Sequence, residues 1–140
     1  MKYSNIFICK EGDFMFGDKD IVGMFEKTLD GKGRLFIPSS FSATPGECLG
    51  LAFGEDFRHI LIMSILDYQG IINKFKELNK GEILNQDPRL VEQITRLIGL
   101  VQLDKQHRIQ IPKFALDKTG LEGSIIVKGQ INCAGIYPKK

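Results

Sequence analysis

The sequence predicts an α+β fold that is mainly β, in which two similar hairpin modules are joined by two helices. The first observation is a repeat: the phrase LDGKGRLFIP, residues 29–38, returns as LDKQHRIQIP, residues 103–112. The second is that short alternating runs, the pattern of half-buried strands, surround each copy. The third is that apolar residues recur at helical spacing between the copies. Such a repeat indicates one structural unit present twice.

The first module is predicted to span residues 22–66. Two strands flank the loop GKG, in which Gly33 suits a left-handed backbone. Pro38 ends the second strand because proline cannot donate to a ladder, and the following SSFSATPG predicts a helix of one to two turns stopped at Gly46. The predicted strands are residues 25–29, 34–38, 48–53 and 60–65.

The connector is predicted to span residues 67–99 and to hold two amphipathic helices. Asp87-Pro88 is a typical start for the second helix, and Gly99 is its predicted end. We expect the apolar faces to pack on the core or on another subunit. These faces are Tyr68, Ile71, Ile72, Phe75 and Leu78 in the first helix and Leu90, Val91, Ile94, Leu97 and Ile98 in the second.

The second module is predicted to span residues 100–140, and residues 1–21 are predicted to be an N-terminal extension. The second loop, KQH, has no glycine, so His107 must take the left-handed position at some cost or the loop must close differently. A short helix stopped at Gly120 follows. Two more strands are predicted over residues 124–128 and 133–137, with a one-residue slip relative to the first copy.

A module of about 40 residues buries too little apolar surface to fold alone. We therefore expect the two modules to interlock about a pseudo-twofold axis, each completing the sheet of the other. The 140 residues together are long enough for one shared core.

The composition excludes several classes of protein. No apolar run approaches the roughly 20 residues that span a bilayer, and no secretory signal is visible, so we expect a cytoplasmic protein with no membrane partner. Three cysteines without a CxxC pair are typical of a reducing compartment. The net charge of +2 does not by itself argue for nucleic acid, but residues 27–34 and 103–113 each carry three basic residues against one acid.

Enzyme chemistry has little support in the sequence. His59 and His107 are the two imidazoles, and no catalytic triad, HExxH, P-loop or GxGxxG spacing occurs. Cys48 and His59 lack a second ligand pair for zinc. We therefore expect no catalytic residue, no metal, no cofactor and no small-molecule substrate.

An acid and an arginine hold the same places in both phrases: Asp30 with Arg34, and Asp104 with Arg108. One interpretation is structural, because such a pair can brace a tight turn. The other is functional, because the first loop projects Lys32 from a glycine-thinned tip and the second projects Lys105 with His107. Backbone amides and cations at such tips can approach phosphates closely.

Three segments carry a resemblance to a known family: VGMFEKTLDGKGRLFIPSSF, the two predicted helices and LVQLDKQHRIQIPKFALDKTGLEGSIIVKG. Over about residues 22–138 they resemble the MraZ family of bacterial transcription regulators, which are built of two SpoVT/AbrB-type modules. The resemblance implies swapped-hairpin, AbrB-like β-barrel halves and a ring-like homo-oligomer. It also implies a nucleoid-associated repressor that binds double-stranded DNA at direct repeats in the promoter of the division and cell-wall gene cluster.

The resemblance also implies site residues in each phrase. They are DNA contacts by Lys32, Arg34, Lys105 and Arg108, and turn bracing by Asp30, Asp104 and Gly33. Because KQH replaces the family's commoner K-x-G turn, we expect the second loop to contact DNA less well than the first. The alternative function is an AbrB-type protein-interaction module such as an antitoxin, although those usually carry one copy of the module and a long disordered tail.

Overall fold

Eight strands and three α-helices make up the part of the chain that the computed structural model describes, residues 15–79 and 88–139. This mixture of strands and helices confirms the predicted α+β class. The strands are β1 (Met24–Thr28), β2 (Arg34–Phe36), β3 (Cys48–Phe53), β4 (Ile60–Ser64), β5 (Leu97–Gln102), β6 (Arg108–Gln110), β7 (Ser124–Gly129) and β8 (Ala134–Pro138). The helices are α1 (Ile65–Asn79), α2 (Pro88–Arg96) and α3 (Lys113–Thr119).

Six strands form one antiparallel sheet in the order β1-β7-β8-β4-β3-β5, while β2 and β6 form a separate two-stranded ribbon. Each copy of the repeat contributes a hairpin, β3 with β4 and β7 with β8, and the two hairpins join through β4 and β8. The first strand of each copy lies against the other copy, because β1 pairs with β7 and β5 pairs with β3. Neither copy therefore completes the sheet by itself.

The two-stranded ribbon is centred on Leu35 and Ile109, which face each other across the strands and hold the same place in the two copies. Both side chains are fully buried. They belong to one apolar cluster that also contains residues of the six-stranded sheet, among them Leu49, Leu51 and Val127. Burial of this face fixes the ribbon on the sheet and leaves the alternate residues of β2 and β6 facing outward.

Helix α1 packs on the outer side of the sheet, as its apolar spacing predicts. Tyr68 is buried against Ala52 and Met63, and Ile71 and Ile72 pack on the same small cluster. None of the helices in the described ranges is long and apolar enough to cross a membrane.

The second connector helix ends earlier than predicted. The expectation that Leu97 and Ile98 continue this helix to Gly99 is wrong, because α2 ends at Arg96 and β5 begins at the next residue. The β5 backbone pairs with β3 from Cys48 onward. Long-range pairing with a buried strand thus outweighs the local helical spacing. The predicted start at Asp87 lies outside the described residues, and the described helix begins at Pro88.

The short helix after Pro38 also differs from the prediction. In place of a helix that runs to Gly46, a single 3-10 turn covers Ser39–Phe41 and ends at Ser42, whose φ is 62°. Serines are poor helix formers, and Pro45 disfavours a helical backbone at the residue before it. The matching segment of the second copy forms the two-turn helix α3, which ends as predicted at Gly120 with φ of 78°.

Strand β7 begins two residues further along the second copy than β3 does along the first, so the predicted slip of one residue is wrong. Thr28 pairs with Ser124, whereas Gln102, which holds the place of Thr28 in the second copy, pairs with Cys48. The additional residues lie between Gly120 and β7, where the second copy has a longer connection than the first. The offset therefore arises in a loop and leaves the strand pairing intact.

The residues before β1 enter the core, which the sequence reasoning did not foresee. Phe16 and Ile21 are buried, and Ile21 exchanges backbone hydrogen bonds of 3.0 and 2.7 Å with Ile131. The carboxylate of Glu47, itself fully buried, accepts the N–H of Phe16 at 2.8 Å and that of Thr44 at 2.9 Å. The predicted division into an extension, two modules and a connector stays a prediction, and residues 1–14 lie outside the described residues.

We expect Glu47→Ala to lower the free energy of unfolding by about 2 to 3 kcal/mol, because two backbone N–H groups lose a charged acceptor inside the protein. Urea unfolding measures the change. Glu122→Ala is the matched control, since this acid lies exposed in the corresponding connection of the second copy and its loss should change stability by less than about 0.5 kcal/mol. Equal effects of the two substitutions would contradict the anchoring role of Glu47.

Candidate nucleic-acid interface

Each repeated phrase contains a tight turn closed by two backbone hydrogen bonds. In the first turn, Asp30 donates its N–H to the carbonyl of Arg34 at 3.1 Å, and Gly33 donates to the carbonyl of Asp30 at 3.0 Å. The second turn has the same two bonds, at 2.9 and 3.0 Å. Beyond each turn the strands separate, because β1 pairs with β7 while β2 pairs with β6. The predicted hairpin pairing is thus confined to the turns.

The carboxylate of Asp30 occupies the inside of the first turn. One oxygen, Oδ1, accepts the backbone N–H groups of Lys32 and Arg34, each at 2.9 Å. The other oxygen, Oδ2, accepts Nε of Arg34 at 2.6 Å. A single side chain therefore fixes both the loop backbone and the direction of the guanidinium group.

The second turn repeats this arrangement atom for atom. Oδ1 of Asp104 accepts the N–H groups of Gln106 at 2.8 Å and Arg108 at 2.9 Å, and Oδ2 accepts Nε of Arg108 at 3.1 Å. The first guanidinium is the more accessible, since 35% of the Arg34 side chain is exposed against 22% for Arg108.

These hydrogen bonds favour the ionised form of both acids. The backbone N–H of Arg34, followed by its guanidinium and the N–H of Lys32, lowers the pKa of Asp30 from 3.8 to about 2. The backbone N–H of Arg108, followed by that of Gln106, also lowers the pKa of Asp104. Both turns are therefore closed by carboxylates at neutral pH.

The residue before each arginine has a left-handed backbone, with φ of 79° at Gly33 and 63° at His107. Of the two alternatives for the second loop, the structure shows the left-handed position at His107. A Cβ at Gly33 would lie 2.8 Å from the Leu116 side chain and 3.0 Å from the carbonyl oxygen of Ile111. In the part of the chain that the structure describes, the buried Nδ1 of His107 has no hydrogen-bond partner. The second turn is therefore the more strained of the two.

The ribbon holds the two turns at its opposite ends. Beyond the β2–β6 ladder, Ile37 donates its N–H to the carbonyl of His107 at 2.8 Å, and Ile111 donates to the carbonyl of Gly33 at 2.9 Å. Each turn is thereby bonded to a strand of the other copy. This cross-bonding fixes the position of one turn relative to the other.

The outward face of the ribbon has four corners, which we call the ribbon face: Arg34, Phe36, Arg108 and Gln110. Arg34 lies opposite Gln110, and Phe36 lies opposite Arg108, whose Cζ is 5.8 Å from the ring centre. Gln110 donates from Nε2 to the backbone carbonyl of Lys32 at 3.3 Å. The ring of Phe36 is half exposed. The face therefore combines two cations, an amide and an aromatic ring.

The structure places the predicted contact residues on this surface. Arg34 and Arg108 occupy diagonal corners of the ribbon face, and Lys32 and Lys105 lie exposed in the two turns. Their roles in binding DNA stay predictions. The sequence reasoning did not single out Phe36 or Gln110, although alternation in RLFIP and RIQIP, with inward Leu and Ile, was a signal that could have found them.

The cysteine and histidine side chains outside the ribbon form no metal cluster among the described residues. These residues contain no group of three or more His, Cys, Asp or Glu side chains that could hold a metal ion. Cys48 is buried, and that burial raises the pKa of its thiol. Nδ1 of His59 is 2.8 Å from a carboxylate oxygen of Asp56, and its ring stacks on Tyr137.

Several curated proteins are similar to this chain over most of its length. It is 30% identical over 122 residues to a transcriptional regulator MraZ of Caldanaerobacter subterraneus subsp. tengcongensis, a match that covers 86% of this chain and 82% of that protein. It is 33% identical over 123 residues to a transcriptional regulator MraZ of Dictyoglomus turgidum, covering 85% and 80%. A transcriptional regulator MraZ of Mycoplasmopsis pulmonis is 28% identical over 121 residues, covering 85% and 79%. No family model matches the chain.

We expect His107→Gly and Gly33→Ala to change stability in opposite directions. A left-handed backbone costs a residue with a side chain about 1 to 2 kcal/mol, partly offset in glycine by a more flexible unfolded chain. His107→Gly should therefore raise the free energy of unfolding by about 0.5 to 1 kcal/mol, whereas Gly33→Ala should lower it by about 1 to 2 kcal/mol. Denaturant unfolding measures both, and changes of the same sign would contradict the strain assigned to His107.

The depressed pKa of Asp30 predicts a turn that resists acid. Because the pKa is lower in the folded protein than in the unfolded chain, the contribution of Asp30 to stability is present above about pH 4 and is lost as the pH falls through about 2. At pH 3 the carboxyl group of Asp30 should still be about nine-tenths ionised. The chemical shift of its carboxyl carbon in NMR spectra, followed as a function of pH, measures this fraction. An Asp30 that is mostly protonated at pH 3 in the folded protein would be inconsistent with this geometry.

Proposed function

The chain belongs to the MraZ family of transcriptional regulators, and we propose from this premise that it binds double-stranded DNA through the ribbon face and the two adjoining turns. The observation that carries the proposal is the placement of two identically braced arginines at diagonal corners of one exposed ribbon. A two-stranded β-ribbon is one of the elements that the major groove of B-DNA admits.

The brace and the base contact are compatible because they use different atoms of arginine. Asp30 engages Nε of Arg34, so the terminal Nη groups can reach the O6 and N7 atoms of guanine. Such a contact contributes about 1 to 3 kcal/mol of discrimination against the wrong base. Lys32, exposed beside it, is placed to neutralise a phosphate. In this proposal the acid pre-orients the guanidinium and so lowers the entropy lost on binding.

We assign the second turn a weaker part in binding. Arg108 is less exposed than Arg34 and lies near the ring of Phe36. Its turn has His107 where the first has glycine, so the backbone is less able to approach a phosphate. Lys105 supplies an exposed cation in this turn, one residue before the place that Lys32 holds in the first.

The arrangement of strands also supports a swapped-hairpin, AbrB-type architecture of two interlocked halves. In such a fold each half lends a strand to the other, and the pairing of β1 with β7 and of β5 with β3 agrees with that description. The ribbon pair Leu35–Ile109 lies where a pseudo-twofold axis would relate the halves.

We further propose that several subunits act together. One subunit that neutralises two or three phosphates binds weakly at physiological salt, because each contact adds only about −0.9 to the logarithmic salt slope. Subunits joined in a ring-like homo-oligomer would bind direct repeats in a promoter with an avidity about 100-fold or more above that of one site. Family membership supports a cytoplasmic, nucleoid-associated repressor of the division and cell-wall gene cluster as the biological setting.

The protein is proposed to act without catalysis. The ribbon face offers two arginines, a phenylalanine and a glutamine, none of which transfers protons at neutral pH. Of the histidines in the described ranges, His59 lies against Asp56, and His107 lies in the second turn with its Nδ1 buried. No cofactor or small-molecule substrate is part of the proposal.

Arg34→Ala is expected to weaken binding to DNA from upstream of the protein's own gene by about 100-fold or more, because the lost base contact is multiplied over the bound subunits. Arg108→Ala should weaken it by about 10-fold. Gel-shift titrations at two salt concentrations measure both affinities.

Arg58→Ala is the matched control, since this arginine is exposed in the turn between β3 and β4 and belongs neither to the ribbon face nor to its two turns. It should leave affinity unchanged. Circular dichroism and light-scattering mass check that each variant keeps its fold and its assembly. Unchanged affinity of a folded Arg34→Ala variant would count against the proposal, and a larger loss for Arg108→Ala would reverse the ranking of the turns.

A further inference from the structure

We propose that Phe36 and Gln110 are specificity-determining residues that make the two halves of the ribbon face read different base pairs. The inference rests on the proposed DNA-binding function and names the residues by which that surface would choose its sequence. Each of the two lies beside an arginine on its own strand and opposite an arginine on the other.

Phe36 and Gln110 hold the same position in the two copies of the repeat, two residues after Arg34 and Arg108 respectively. If the two residues were identical, the ribbon face would look the same from either strand and would suit a palindromic half-site pair. One diagonal of the face is identical, arginine with arginine, and the other is phenylalanine with glutamine. Among the four corners this is the single difference, and it gives the ribbon face a direction.

Gln110 has the chemistry of an adenine reader. Its amide carries a donor and an acceptor, which match N7 and the N6 amino group of adenine in the major groove. In the free protein Nε2 donates to the carbonyl of Lys32 at 3.3 Å, a long hydrogen bond that a base can replace. Because Arg34 lies opposite, this half of the face presents an adenine contact beside a guanine contact.

Phe36 has the chemistry of a thymine reader. Its ring is 50% exposed on a face whose other corners are polar, and an apolar side chain in the major groove recognises the thymine methyl group. Arg108, held by Asp104 and 5.8 Å from the ring centre, restrains the ring from one side. This half of the face therefore presents an apolar contact beside a guanine contact.

The charge around Phe36 favours DNA, rather than a second copy of the protein, as the molecule that covers its exposed ring. Arg34 and Arg108 share its face, and Lys32 and Lys105 lie exposed at the two ends of the ribbon. A second ribbon face brought against this one would place like charges together, whereas a duplex supplies compensating phosphates. In this proposal the half-exposed ring of Phe36 contacts a base step in the major groove.

The test exchanges the two residues in the full-length protein. Duplexes with a randomised core are selected for binding, and the base preferences of the wild type are compared with those of Phe36→Gln, Gln110→Phe and the double exchange. The wild type should select an oriented site. Phe36→Gln should give an adenine preference on both sides, and the double exchange should move the adenine preference to the Arg108 half of the ribbon face and the thymine preference to the Arg34 half.

The size of the effect follows from a single lost contact per subunit. Gln110→Ala should reduce the preference for adenine at one position by about 5- to 150-fold, with the arginine-dependent positions unchanged. Phe36→Ala should reduce the preference for thymine at another position, by less than the loss of a bidentate contact. Because both side chains lie on the surface, we expect the melting temperature of every variant to stay within a few degrees of the wild type.

Each other outcome overturns a stated part of the proposal. If the wild type selects a site and the variants keep its preferences, base reading by these residues is refuted while DNA binding stands. If Phe36→Ala changes the light-scattering mass but not the base preferences, the ring is a subunit contact and the inference is refuted. If the wild type selects no sequence at all, the proposed function itself fails.

Discussion

The burial of Leu35 against Ile109 at the centre of the ribbon is the contact on which the functional surface depends. Because these two side chains point into the core, the alternate residues of β2 and β6 must point away from it. The ladder between the strands then sets the distance between the two turns. A polar residue at either position would weaken the packing that holds the ribbon on the sheet. The two arginines would then no longer be held on one outward face. Apolar packing on one side of the ribbon thus determines which charges face outward on the other.

The acid in each turn resolves an apparent conflict between bracing a loop and contacting a polyanion. A carboxylate beside an arginine cancels part of the charge that attracts phosphate. It also accepts three hydrogen bonds from the turn, as Asp30 does, and so holds the guanidinium in one direction. In the proposed function, the structural and functional interpretations of the D-x-x-x-R phrase are therefore compatible. The lysines would supply attraction over a distance, while the arginines would be held in position for a specific contact.

Local signals in the sequence predicted the local structure, and long-range pairing accounts for most of what was missed. The left-handed backbone at Gly33 and the helix end at Gly120 were predicted correctly, because backbone angle and turn chemistry are set by a few neighbouring residues. Leu97 was assigned to a helix because only its pairing with β3, about 50 residues away, makes it a strand. The anchoring of Phe16 by Glu47 left no periodic pattern to detect. On the ribbon, Arg34 and Arg108 drew attention because the same residue type recurs at the same place. Phe36 and Gln110 did not, because this place holds different residue types in the two copies.

That difference shows what a duplicated module in one chain makes possible. In a dimer of identical chains, any substitution on a ribbon at the twofold axis appears twice, and the exposed face stays symmetric. Two modules in one chain can keep the buried pair and the braced arginines alike, because packing constrains them, while the exposed corners change independently. His107 at the left-handed position and Phe36 opposite Arg108 are both changes of this kind. The strained second turn is also the turn with the less exposed guanidinium, whereas the first turn has glycine at the left-handed place. Two copies of the phrase in one chain thus permit the exposed corners of the ribbon to differ without any change in the packing that positions them.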